Sequence, residues 1–240
     1  MRQNRRFWIA TAIFLGTLVL VALLWSFFFA APPEPTAPIA SVPVDTSGET
    51  EAPAGMAFAE DAAVYEIVPA ESEARFLIDE VLRGEPTTVV GRTDQVAGQI
   101  ALSFAEPANA AIGAIRVNAR TLFTDNDFRN RAIQNRILVT GFYEFITFTP
   151  EAISGLPESI KPGETVTFDV TGDLTITAYS HPVTFTVTVT PVSESRLEGT
   201  ASTTISRRDF NLVVPSATGV ADVSEDVTLE IDFVAIPISE

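Results

Sequence analysis

From Tyr65 onward, apolar and polar residues alternate between short turn signals, a period of two that gives a β-strand one buried face and one wet face. Glu164–Ala178 shows it most clearly: Val166, Phe168, Val170, Leu174 and Ile176 share one parity, while Thr165, Thr167, Asp169 and Thr175 take the other. Gly172 stands inside this run, where the lack of a side chain would relieve crowding at a bend. After a Tyr179-Ser180-His181-Pro182 connection, Val183, Phe185, Val187 and Val189 take the inward parity, with three threonines between them. Ala74–Leu82, Val96–Phe104, Ile112–Ala119, Phe142–Phe148, Leu197–Ile205 and Val227–Ala235 complete a set of about eight strands.

One interval departs from the pattern. Asp125–Leu138 lacks alternation, opens with Asp and Asn residues suited to an N-cap, and places Ile133 and Ile137 one helical turn apart, which predicts a short helix inserted among the strands. Eight antiparallel strands with one apolar face form either a sandwich or a barrel that removes the exposed edges. A barrel of that size holds a packed core or one small ligand. The chain has 17 phenylalanines, enough to fill a core or to line a tunnel, and composition leaves both readings open.

Charge narrows the partners. All 31 acidic residues and all but three of the 15 basic ones lie beyond residue 30, a net of 12 − 31 = −19 for that part of the chain. Such a surface is expected to repel nucleic acid and anionic lipid alike, whose binding needs clustered Lys and Arg. The chain has no cysteine and one histidine, His181, so thiolate sites, cysteine nucleophiles and multi-histidine metal sites are excluded. No nucleophile elbow accompanies His181, and Asp222, Glu225 and Asp226 lack the ligand spacing of a calcium loop. No catalytic residue, metal or cofactor is expected.

The N-terminus follows a different logic. Phe7–Ala30 is 24 residues without a charge, preceded by Arg2, Arg5 and Arg6 and flanked by Trp8 and Trp25. That length covers a bilayer core, and the arginines predict residues 1–6 in the cytoplasm, residues 7–30 as a transmembrane helix, and the rest of the chain outside. A cleaved signal peptide is the rival reading, although its apolar region is typically only about 7–15 residues long. Residues 31–60 carry six of the 16 prolines and no basic residue, the composition of a disordered, semi-stiff acidic spacer.

Several segments of the region 61–240 together resemble a known family. They are Tyr65-Glu66-Ile67 with Ser72-Glu73-Ala74-Arg75-Phe76, the stretch 91–100, Arg129-Asn130 or Arg131 within Phe123–Leu138, Gly172-Asp173-Leu174-Thr175-Ile176 before Pro182-Val183, and Ile205-Ser206-Arg207-Arg208-Asp209-Phe210. In this order they are similar to the YceI-like, or polyisoprenoid-binding, proteins, over Tyr65 to about Ala235. The chain departs from that pattern at Glu71 (for a histidine), His181 (for a lysine) and Asn211 (for a glycine). The resemblance implies an all-β, eight-stranded antiparallel, lipocalin-like barrel whose apolar tunnel holds a long isoprenoid or related lipid, in an exported, non-enzymatic protein.

For such a tunnel the candidate wall residues are Phe76, Ile78, Phe142, Phe145, Phe168, Leu174, Ile176 and Phe185, each of which could equally be ordinary core. Arg129 and Arg131, with Arg136, concentrate positive charge that could meet a polar head group or pair with Asp125 and Asp127. Arg207 and Arg208 before Asp209 are expected to form a structural pair at a strand end, and His181 to be a turn residue. The leading expectation is a lipid carrier or sequestering module tethered to the outer face of a bacterial cytoplasmic membrane, its oligomeric state open to a homodimer. The alternative is a structural or protein-interaction module with the same β fold, a filled core and no ligand.

Overall fold

The computed structural model describes residues 14–21, 33–36, 39–44 and 62–238. The chain divides into two units, residues 1–32 and 33–240. In the first, residues 14–21 are helical. Among the described residues no helix is long and apolar enough to cross a membrane, so the expected transmembrane helix is not supported there. Residues 1–13 and 22–32, which hold the rest of that span and the cytoplasmic stub, lie outside the described residues.

The second unit is built on one antiparallel sheet. Its strands are β1 Ala63–Ile67, β2 Glu73–Leu82, β3 Glu85–Thr93, β4 Val96–Ala97, β5 Gln99–Leu102, β6 Ala111–Ile112 and β7 Ile115–Asn118. They continue with β8 Phe145–Ser154, β9 Val166–Ile176, β10 Tyr179–Ser193, β11 Arg196–Ser206, β12 Val220–Ala221 and β13 Asp226–Pro237. From β7 to β11 each strand pairs with the next, β11 pairs with β13, and β13 pairs with both β1 and β2. The sheet curls as a half-barrel of lipocalin-like type. On one side it is carried round only by the two-residue ladders β4–β7 and β5–β6. The expected set of about eight strands is therefore thirteen among the described residues. The breaks fall at the 3-10 turn Pro69–Glu71, at Asp94-Gln95, and at Gly98, where the Ile115 Cδ1 methyl occupies the place of a β-carbon.

The longest ladder follows the alternation. On β9, Val166, Val170, Leu174 and Ile176 are buried, and on β10 so are Phe185, Val187 and Val189. The opposite face carries hydroxyl pairs across the two strands, Thr165–Thr190 (2.7 Å), Thr167–Thr188 (3.1 Å) and Thr171–Thr184 (2.8 Å), with Thr186 donating to Asp169 at 2.9 Å. Such cross-strand pairs fix register on a wet face. Gly172 faces a bulge in β8 at Pro150, and a β-carbon there would stand 2.7 Å from Pro150 Cα. His181 sits within β10, opposite Leu174; the reversal is Thr177-Ala178, so the expected turn is two residues earlier than read.

The inserted helix is present as Asp127–Ala132, continued by a π-helical turn Ile133–Ile137. Asn126 caps it, its Oδ1 accepting from the N–H groups of Phe128 (2.9 Å) and Arg129 (3.1 Å). The segment 31–60 is described at 33–36 and 39–44, and those residues lie against the sheet and its loops and not away from them. Thr36 donates to the Glu144 carboxylate from its N–H (2.5 Å) and hydroxyl (3.0 Å), the Arg120 guanidinium donates to Glu34 O (3.1 Å), Val44 N–H donates to Gln99 Oε1 (2.9 Å), and Ile39 is buried.

Candidate functional site

The concave face of the curl encloses three apolar cavities that share walls. The first, about 100 Å³, is lined by side chains of β5, β8, β9, β10 and β13, with Leu156 and Ile160 at its far end. The second, about 80 Å³, meets it at Ile115, Phe148, Phe185 and Ile231. The third, about 150 Å³, meets the second at Phe76, Leu122, Ile146, Ile176 and Leu229. The interior thus holds three small apolar voids in series along shared walls. Phe148 and Phe185 stand edge to face, ring centroids 4.9 Å apart, at the junction of the first two.

Charge is absent from the first cavity's walls; Arg75 and Glu230 line the second, and Glu80, Arg129 and Arg207 line the third. Glu80 is 8% exposed and accepts from Arg129 Nη2 at 2.9 Å, and Arg129 Nη1 also donates to Asp125 at 2.6 Å. Arg207 is held by backbone carbonyls, donating to Ser224 O (2.9 Å) and Leu212 O (3.2 Å). Arg208 pairs with Glu225 (2.9 Å) rather than with Asp209. The mouth therefore presents guanidinium groups that are already neutralised or engaged, an end suited to a polar group of little net charge.

Six of the eight candidate wall residues line these cavities: Phe76, Ile78, Phe168, Leu174, Ile176 and Phe185. Two do not. Phe142 lies in the turn before β8 and is 83% exposed. Phe145, first residue of β8, has outward parity and takes the Arg116 guanidinium over its ring at 3.8 Å; Ile146 and Phe148 are the inward residues of that strand. Arg129 reaches the third cavity, but Arg131 lies exposed on the helix and lines none of the three. Arg129 and Arg131 do not converge on one head-group site, because residues two apart on a helix point to nearly opposite faces.

Residues that were passed over follow the same rule. Ile231 and Phe233 belong to the inward stripe of Val227–Ala235, and Glu80 shares the parity of Phe76 and Ile78. An acidic residue on an apolar parity is a signal for a buried charge with a partner. Arg207 follows Ile205 in the same way.

The geometry has counterparts among known proteins. Comparison with curated proteins gives no match. Among solved structures, the chain is similar to a polyisoprenoid binding domain from Saccharophagus degradans implicated in plant cell wall breakdown (TM-score 0.59, 16% identity, 73% of this chain and 99% of that one). It is also similar to BcnA of Burkholderia cenocepacia (TM-score 0.56, 19% identity, 70% and 98%) and to the Campylobacter jejuni YceI protein (TM-score 0.51, 19% identity, 62% and 85%). At these identities the likeness is one of fold. The model of the YceI-like domain matches residues 65–235, most of the chain, and with the curled sheet and its apolar interior it establishes that this protein belongs to the YceI-like family.

Proposed function

We propose that the domain binds one long-chain isoprenoid or a similar slender amphiphile along its three cavities, as a carrier or sequestering protein without catalytic activity. The observation that carries this reading is the run of shared apolar walls from Ile160 to the Glu80–Arg129 pair. A hydrocarbon chain needs only such walls, and burying it returns about 0.8 kcal/mol per CH₂ group. A polar end fits beside Glu80 and Arg129, where the ion pair balances its own charge. The likeness of fold to the polyisoprenoid binding domain of Saccharophagus degradans supports the same ligand class.

We further propose that residues 7–30 anchor the chain in the cytoplasmic membrane, with the domain on the outer side, which places it where such lipids are found. The rival reading, a filled β module, draws on the Phe148–Phe185 contact between the first two cavities. Mass spectrometry of lipid extracted from the purified full chain decides between them. A prenyl or other long-chain lipid at about one per chain is expected; recovery of none, with added prenol failing to bind, overturns the carrier reading.

A further inference from the structure

The segments that supply wall residues of the third cavity also expose large apolar side chains: Phe128 at 76%, Phe142 at 83%, Phe123 at 52% and Val213 at 65%. Each is next to, or a few residues from, a wall residue of that cavity: Phe123 follows Leu122, Phe128 precedes Arg129, Phe142 comes four residues after Leu138, and Val213 lies between Leu212 and Val214. The opposite end differs. Its closing loop, 155–164, exposes Glu158, Lys161 and Glu164 and holds no aromatic residue; Val192, next to the Pro191 that accepts from Gly163 N–H, is the exposed apolar residue adjoining it.

Charge separates the two ends further. Residues 119–144 carry four arginines and three carboxylates, 4 − 3 = +1, in a chain whose net charge is −16. Aromatic rings with arginines between them are the composition that settles at the boundary of head groups and acyl chains.

The docked N-terminal segment enters at this same end. Glu34 and Thr36 are held by Arg120, Asn118 and Glu144, the residues that bracket the loop 119–144. Ala30 ends the apolar segment read as the anchor, and only residues 31 and 32 separate it from Pro33. That is roughly 10 Å of chain at full extension.

We infer that Phe123, Phe128, Phe142 and Val213 form a bilayer-docking face, with the docked residues 33–36 and 39–44 beside it, so that lipid enters the third cavity directly from the membrane. The inference rests on the proposed membrane anchorage. The end with Glu80 and Arg129 then faces the head groups.

The chain has no cysteine, so single labels can be placed cleanly. Gly141 is exposed, and a β-carbon there meets nothing within 4 Å. The full chain carrying Gly141→Cys or Asp127→Cys, and Glu158→Cys as the far-end control, would be labelled with bimane. Each would be placed in phosphatidylethanolamine and phosphatidylglycerol vesicles containing an acyl-chain nitroxide lipid. Blue-shifted, quenched emission is expected at positions 141 and 127, with none at 158. The quenching should be lost when Phe123, Phe128 and Phe142 are all replaced by Ser, with the circular dichroism of the fold retained. A chain that stays in the membrane fraction with unquenched label at 141 overturns the docking face while leaving the anchorage intact. A shift that depends on protein concentration and ignores the nitroxide assigns this face to contact with a second copy, and overturns it too. A chain recovered wholly in the soluble fraction overturns both the anchorage and the docking, whereas retention of lipid by that chain is read separately.

Discussion

Val139 adopts a φ of +47°, a left-handed conformation that crowds a β-branched side chain. It ends the π-helical turn and reverses the chain toward β8, with Phe142 and Tyr143 N–H both donating to its carbonyl. Val139→Gly should therefore raise stability by about 1 kcal/mol, the left-handed penalty less the added freedom of the unfolded chain, as read from denaturant midpoints at unchanged m. Asn211, where the family pattern has glycine, also sits at positive φ, +51°, and its Nδ2 donates to the Tyr179 hydroxyl at 3.0 Å. Asparagine tolerates that region, so this departure leaves the fold undisturbed. Glu80 is the residue on which the mouth turns. Glu80→Gln removes the buried countercharge of Arg129 and should cost about 2 kcal/mol in unfolding free energy, while the outer pair with Asp125, which is solvent-exposed, compensates little.

At the level of strands, Gly172 and the docked N-terminal segment carry separate predictions. Gly172 lets the β8 backbone at Thr149 and Pro150 pass close to β9, and both neighbours are main chain, which cannot swing aside as a flexible side chain would. Gly172→Ala should thus lose about 2–3 kcal/mol, visible as a lower thermal midpoint. The docked segment is tied at Glu144. Burial opposes ionisation of this carboxyl, but hydrogen bonds from Thr36 and Asn118 and the charge of Arg120 outweigh it and hold the group below the usual carboxylate range. A lowered folded value means that the stabilisation is fully present above the ordinary carboxylate pKa and is lost as pH falls through the lowered one. Protection of the amides of residues 34, 36, 39–42 and 44 against hydrogen exchange, taken relative to the intrinsic rate at each pH, should be high at neutral pH and fall in acid, and Glu144→Gln should abolish that pH dependence.

For the molecule as a whole, the placement of empty space matters more than any single contact. Phe185 is buried, lines the first two cavities and closes on Phe148. Phe185→Ala should cost about 3–5 kcal/mol and join those compartments. Co-purified lipid, read by mass spectrometry, should then shift toward longer or bulkier chains. An unchanged lipid profile in a folded variant would show that the bound chain does not pass this point.

Alternation along 164–189 and 227–235 was enough to identify an all-β domain, its inward stripes and the strand pair β9–β10, because the two faces of a strand meet different solvents. The capping residues before 127 likewise marked the inserted helix. Parity could not say where strands break, and so Phe142 and Phe145 were read as inward although β8 begins only at Phe145. Nor could it tell packed core from cavity, which depends on how far apart the curl of the sheet holds opposing stripes. The docking of residues 33–36 and 39–44 was equally beyond local reading: a proline-rich acidic segment has no core of its own, and the partners Asn118, Arg120 and Glu144, brought together by the fold, give it a place to bind.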